Sequence, residues 1–448
     1  MRLNPAISST SERGMPDISS RRYALWMFLS NYRGFGGQGK LLILMGLFGG
    51  LGGAFISFVL VLYTDAIGFS PVFFGTLMLI NEASMALLLL PSGILSRRYD
   101  TRILLMIGAI LTIIGNSIYL TSPDKTIYLG AAAVAGVGNA FFSPAYLARL
   151  AGNTDEARRK YFFSIQSFTS MIGFSTAMLV AGSLPDLAKN ITPDGLFGYR
   201  LAIGIGVFFF VLELITVLLI KKEGAKKQGK KGGEKARISL LFRRSKDAKT
   251  IIKFAIPSIF MGMGAGAFIP FLQLQFKLRF DLVPTEIGII FAFTQIIMAA
   301  AILVLPMIAE RIGSVHLIVR AEMLATVALV LMPLSAVIPV IGLELFVGLS
   351  VVRTIFMNMT GPVSNSFAMS RVSPENRGLT SSVITVSWIG THSIGSFLGG
   401  YIMEMSLDLP FYICAAFYTA AIVTYYTFFR KLDDKPENQR SRTEPSVE

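Results

Sequence analysis

Apolar runs of about 20 residues recur twelve times along this 448-residue chain, separated by more polar stretches. Runs of that length are read as membrane-spanning helices, because barrel strands alternate in polarity and are only about 10 residues long. The expected helices cover 41–63, 71–95, 102–121, 127–149, 161–184, 199–220, 251–275, 286–308, 314–334, 338–366, 379–403 and 409–429. The pattern therefore predicts an all-α membrane protein with twelve transmembrane helices.

The polar breaks carry the charge. Of the 41 Lys and Arg, 35 lie in the two tails and around the even-numbered connections, and five around the odd-numbered ones. Arg353 is left over, inside the tenth run. Basic residues favour the cytoplasmic side, so the split puts both termini and the even connections there, in a multi-pass protein of the cell membrane. The longest basic stretch separates six helices from six and contains the low-complexity run KKEGAKKQGKKGGEKAR. The expected organisation is a cytoplasmic tail at 1–40, a six-helix bundle at 41–220, a basic linker at 221–250, a second bundle at 251–430 and a tail at 431–448. RRYALWMFLSNYR before the first run and ISLLFRRSKDAK after the linker read either as topogenic charge or as short interfacial helices.

Composition agrees and excludes several classes. Charged residues make up 15%, against about 25% in soluble domains, and 53% of the chain is hydrophobic. The net charge of +14 is spread between apolar runs and at the ends rather than on one domain, which argues against a nucleic-acid partner. One cysteine and two histidines leave little for a metal site. GFGGQGK, residues 34–40, looks like a phosphate loop, but no strand precedes it and Leu41 stands where Ser or Thr would hold magnesium. No nucleophile elbow is present, so the chain reads as a non-enzyme without a cofactor.

The halves carry matching motifs. Gly93-Ile-Leu-Ser-Arg-Arg98-Tyr-Asp aligns with Pro306-Met-Ile-Ala-Glu-Arg311-Ile-Gly at an offset of 213. Glu156 and Arg158 match Glu375 and Arg377 at an offset of 219. Two matches in order, in equivalent connections, point to a tandem duplication with an even number of helices in each half. The first pair resembles the Gly-x-x-x-Asp-Arg-x-Gly-Arg-Lys/Arg signature of the major facilitator superfamily, which stands between helices 2 and 3 and again, degenerately, between helices 8 and 9. Gly136-Val-Gly138-Asn-Ala140 is similar to that family's helix-4 motif, whereas the helix-5 signature of its drug antiporters is missing. The resemblance spans roughly residues 41–430. It implies two pseudo-symmetric bundles, a cavity lined by helices 1, 4, 7 and 10, and helices 2 and 11 facing each other. It also implies a cytoplasmic gate, expected here at Arg98, Asp100, Arg102, Glu310, Arg311, Glu156, Arg158, Glu375 and Arg377, with Asp100 and Glu310 as the acidic members.

Polar residues at mid-bilayer depth are costly, so they face a cavity or a partner. Glu82 lies eleven residues into the second run, and the repeat offset places Gln295 at the same depth in the eighth. An ionisable side chain opposite a neutral one is what a proton site needs; the alternative is a packing residue bonded to a neighbouring helix. His392, mid-way along the eleventh run, reads either as Glu82's proton-linked partner, with Arg353 biasing the glutamate, or as a satisfied core histidine. Arg353 reads as a charge for an anionic group or as half of a structural ion pair. Glu213 reads as structural. Asn81, Asn139 and Asn358 line the path or act as interhelical glue, and Gln273 and Gln275 are placed at the cavity mouth.

These readings converge on a secondary transporter moving a small organic solute, with the proton as coupling ion and acting as a monomer. The alternatives are an efflux antiporter for drugs or metabolites and a non-transporting receptor or scaffold.

Overall fold

The computed structural model describes residues 36–121, 123–153, 156–222, 247–335, 338, 340–373 and 376–432. Within them run twelve long helices, one for each predicted span. These are α1 (Gly37–Ala66), α2 (Pro71–Arg98), α3 (Thr101–Ile118), α4 (Lys125–Gly152), α5 (Glu156–Ala188) and α6 (Phe197–Leu219) in the first half. The second half has α7 (Ala248–Phe268 and Leu272–Phe280), α8 (Pro284–Ile312), α9 (Ser314–Ser335), α10 (Gly342–Met359 and Gly361–Ser370), α11 (Arg377–Met405) and α12 (Leu409–Phe429). RRYALWMFLSNYR and most of ISLLFRRSKDAK lie outside the described residues.

Helix boundaries follow local chemistry. Ser70 accepts from the Phe73 amide ahead of Pro71, and Asp124 accepts from the Ile127 amide, so each caps the helix that follows. Gly313, between α8 and α9, has φ 84, a left-handed backbone that glycine adopts without strain. This is why the AERIG motif ends in glycine. Two helices are interrupted. Pro270 has no N–H to donate, and a 3₁₀ turn, Ile269–Phe271, splits α7. In α10 the helix restarts at Gly361-Pro362.

Eleven of the twelve helices are long and apolar enough to cross a membrane. The other, α11, carries Thr380, Ser381, Ser382, Thr385, Ser387, Thr391, His392, Ser393 and Ser396. It is wedged between α2 and α7. Four of its hydroxyls are satisfied within the helix: Thr380, Thr391, Ser393 and Ser396 each donate to a carbonyl one turn back. Its close approach to α7 uses glycine on both sides. A Cβ at Gly395 would strike the Met263 carbonyl, and one at Gly266 would strike the carbonyl of His392.

The duplication is visible helix by helix. α2 and α8 begin at Pro71 and Pro284, and α3 and α9 at Thr101 and Ser314, each pair 213 residues apart. The halves meet chiefly along two seams, α2 against α11 and α5 against α8. An aromatic core bridges them, with Phe58 edge-on to Phe291 at 6.0 Å and Phe74 edge-on to Phe271 at 5.6 Å.

Candidate functional site

The α2–α11 seam starts at the end of the helices away from the chain termini, where Gly400 lies against Pro71. One turn on, Gly75 lies against the Ser396 carbonyl. Two turns further, Glu82 Oε2 meets His392 Nδ1 at 2.7 Å. The imidazole is 8% exposed and the carboxylate 20%. Trp388 stacks on the imidazole, with centroids 4.7 Å apart and planes at 24°, and so fixes the ring that faces the carboxylate. Glu82 and His392, expected to pair, are therefore in contact.

The α5–α8 seam has a different make-up. Thr285 donates to Asp186 Oδ2 through its hydroxyl (2.6 Å) and its amide (2.9 Å). Gly182 and Gly288 touch backbone to backbone, and Ser175 donates to the Ala292 carbonyl at 2.9 Å. Lys277 of α7 pairs with Asp65 of α1 at 2.6 Å at the same end of the molecule.

Between the seams lies a cavity of about 570 Å³ lined by α1 to α8 and α10. Asn81, Asn139, Gln295, Arg353 and Asn358, the five residues expected to meet substrate, all line it, as does Gln273. The cavity is thus lined by more helices than the 1, 4, 7 and 10 that the family resemblance implied. Asn81 also donates to the Ala132 carbonyl at 3.0 Å, so it serves as glue between α2 and α4 as well as lining. Gln275 does not line the cavity. It is fully buried, donates to the Leu407 carbonyl and accepts from Arg279, because the helical step after Gln273 turns it toward α12. Glu82 and His392 lie in the seam rather than on the cavity wall, whereas Gln295, the repeat partner of Glu82, is on the wall.

Arg353 is 2% exposed. Its Nη2 donates to the Tyr418 hydroxyl at 2.5 Å, and its guanidinium lies over the rings of Phe268 and Tyr418. The described hydrogen bond therefore goes to a phenol, not to Glu82, and the expected bias of Arg353 on the glutamate has no direct contact behind it. Sequence reasoning missed Tyr418, since nothing in an aromatic run marks one ring as an arginine partner. It also missed Asn116, Thr112, Ser350 and Thr294, buried hydroxyl and amide groups on the cavity wall. Glu213 is buried against Gly49 of α1. Glu322, eight residues into α9, is buried as well, and its mid-run position was the available signal.

At the other end of the helices, Asp100 caps α3 by accepting from the Arg102 amide, and Arg102 reaches the Leu218 carbonyl at the end of α6. Arg377 donates to the Met369 carbonyl at 3.1 Å. These bonds stay within one half. The side chains of Arg98, Glu156, Arg158, Glu310 and Arg311, together with residue Glu375, lie outside the described residues. The residues at this end repeat one device. Arg149 near the end of α4 donates to the Lys221 carbonyl after α6, and Arg371 after α10 donates to the Leu432 carbonyl after α12.

The model of the Major Facilitator Superfamily matches residues 42–389 and again 258–447. The chain belongs to this superfamily. The family is one of membrane transporters, and the helices make this chain an integral, multi-pass membrane protein. Among solved structures, this facilitator is similar to a mutant form of the nucleoside transporter NupG, with 15% identity, a TM-score of 0.72, and 88% of this chain and 100% of that one covered. It is also similar to a bacterial homologue of the human lysosomal transporter Spinster, inward-facing and unoccupied, with 16% identity, a TM-score of 0.67, and 90% and 100% covered. A structure of proton-dependent oligopeptide transporters gives 14% identity, a TM-score of 0.65, and 88% and 98% covered. At such identities the likeness is one of fold. No curated protein matches the chain.

Proposed function

We propose that this facilitator is a proton-coupled secondary transporter that moves a small organic solute by rocking two six-helix bundles, residues 41–220 and 251–430, about the central cavity. The observation that carries the reading is the Glu82–His392 contact across the α2–α11 seam. Two turns beyond Gly75, it is a side-chain hydrogen bond that joins α2 to α11. It sits one residue from Asn81 on the cavity wall.

A charge-assisted hydrogen bond of this kind is stronger than a neutral one. Protonating the carboxylate removes the acceptor charge and loosens the seam, so proton loading and seam opening favour each other. The contacts at the Pro71, Thr285 and Lys277 end support an arrangement closed at that end and open at the end bearing the termini. With the termini in the cytoplasm, as the basic residues indicate, this is an inward-facing state in the cell membrane. The Asp100–Arg102 and Glu310–Arg311 regions then latch the cytoplasmic ends in the opposite state.

The test uses purified protein in liposomes with an imposed pH gradient and a panel of solutes. Gradient-driven accumulation is expected for the native chain, with only downhill exchange for Glu82→Gln. Undiminished accumulation by Glu82→Gln would overturn the coupling role.

A further inference from the structure

We infer that the cargo of this cavity is an organic anion with a single negative charge on a ring-sized apolar body, held through Arg353 and Gln273. The inference rests on the transport reading above and narrows it to a chemical class.

The charge follows from the lining. Among the described residues that form the cavity wall, Arg353 is the one charged side chain; the others are apolar groups, amides and hydroxyls. A buried guanidinium costs several kcal/mol unless an anion or a set of hydrogen bonds compensates it. Here the hydrogen bond of Nη2 goes to the neutral Tyr418 hydroxyl, and Nε is buried without a partner. The thiol of Cys414, beside the same guanidinium and Tyr418, is buried as well. The flanking rings of Phe268 and Tyr418 hold the guanidinium plane in place but supply no full negative charge. A second orphan belongs to a residue of the same wall: Gln273 Oε1 is buried and unpartnered, three residues after Pro270 breaks α7. The broken helix frees this stretch of α7 to present polar groups to a ligand, as interrupted helices do in transporters. An amide presents a donor at one end and an acceptor at the other, so Gln273 can bond a carboxyl or a neighbouring hydroxyl of the cargo.

One fixed cation matches one anionic charge. A doubly charged phosphate ester would leave a negative charge uncompensated in a wall with no second cation. The body follows from the rings. Phe74, Phe174, Phe210, Phe276 and Phe291 line the cavity from five helices, and its volume of about 570 Å³ falls in the range of small-molecule sites. Such walls reward an apolar ring and give nothing to acetate or another bare anion.

The test compares one skeleton with four head groups. Binding of 3-phenylpropionate, 3-phenylpropanamide, 3-phenylpropylamine and 3-phenylpropyl phosphate to the full chain in lipid nanodiscs is measured by calorimetry at fixed salt, with acetate, phenylacetate and indole-3-acetate alongside. The same compounds are then followed in proteoliposome counterflow. The ring-bearing carboxylates are expected to bind at least about tenfold more tightly than the amide, with the phosphate weaker and the amine and acetate weakest. In Arg353→Gln the carboxylate advantage over the amide should vanish. In Gln273→Ala, which keeps the charge, affinity should fall while that advantage persists, which separates a lost site from a misfolded protein.

An amide or amine that binds as well as the carboxylate, an advantage that survives Arg353→Gln in monodisperse protein, or no binding by any of the ring-bearing acids would overturn the inference. Exchange of the amide or amine without exchange of any acid would overturn the cargo class and leave the transport reading standing. Binding of the acids without counterflow of any compound would leave the anion site standing and remove the transport reading.

Discussion

The α2–α11 and α5–α8 seams are related by the duplication, since α2 corresponds to α8 and α5 to α11. Their outer turns are built alike, with glycine bringing backbones together at Gly75 and Gly400 in one and at Gly182 and Gly288 in the other. They diverge at mid-depth. One places Glu82 against His392, and the other places the Ser175 hydroxyl against the Ala292 carbonyl. The ionisable group of the second seam, Asp186, stands at the water-facing end and is tied to Thr285 and Lys189. On the proton-coupled reading proposed above, the two related seams open together while only the one holding Glu82 and His392 responds to protons at the depth of the cavity.

The sharpest way to break this comparison is to neutralise each mid-depth contact in turn. Glu82→Gln loses a charge-assisted bond, about 1.5–3 kcal/mol, and gradient-driven accumulation should fall by at least about tenfold. Ser175→Ala removes a neutral bond, about 0.5–1.5 kcal/mol, and should leave the response to the gradient unchanged. Equal losses in the two variants, measured in liposomes, would mean that the seams are functionally alike.

Packing supplies the next test. A Cβ at Gly182 would lie 2.6 Å from the Pro284 carbonyl oxygen and 2.9 Å from Gly288 Cα. Gly182→Leu therefore overpacks the seam, at about 1–3 kcal/mol, and should lengthen the distance between spin labels on the α5–α6 and α7–α8 turns. The matching change, Gly75→Leu, should separate α2 from α11 and also weaken the response to the gradient, because it draws Glu82 from His392. An unchanged distance in Gly182→Leu would show that the second seam is not close-packed.

Acid titration then separates the seam from the rest of the molecule. Asn376, and after it Ser373, donate to the Asp247 carboxylate at the start of α7 and hold it below its ordinary value of 3.8. Its contribution to stability is present above that value and lost as the pH falls through the lowered one. Melting curves of Asp247→Asn and the native protein should therefore differ near neutrality by a constant amount and converge only in acid. A pH dependence of transport near neutrality would then not come from this anchor.

The smallest effect is expected at the Lys277–Asp65 pair, whose side chains are more than a quarter exposed. Lys277→Ala should cost about 0.2–1 kcal/mol, and added salt should shrink the difference between variant and native protein. A salt-independent loss would show that the pair is shielded by the closed state.

How much of this was legible in the chain follows from the range of each force. Twelve helices, eleven of them apolar enough to cross a membrane, and the repeat were legible because a helix in lipid must satisfy its own backbone and be apolar over a bilayer's width. Those demands act on consecutive residues. The pairing of Glu82 with His392 was reachable because each is an ionisable group in a run that penalises charge, and the family resemblance set α2 opposite α11. Which groups meet across helices was decided by the tertiary structure. Tyr418 as the partner of Arg353, the turn of Gln275 away from the cavity, and the arginines that reach the ends of α6 and α12 depend on helix rotation and tilt. A difference of one residue in rotation moves a side chain by about 100°, and no local pattern records it.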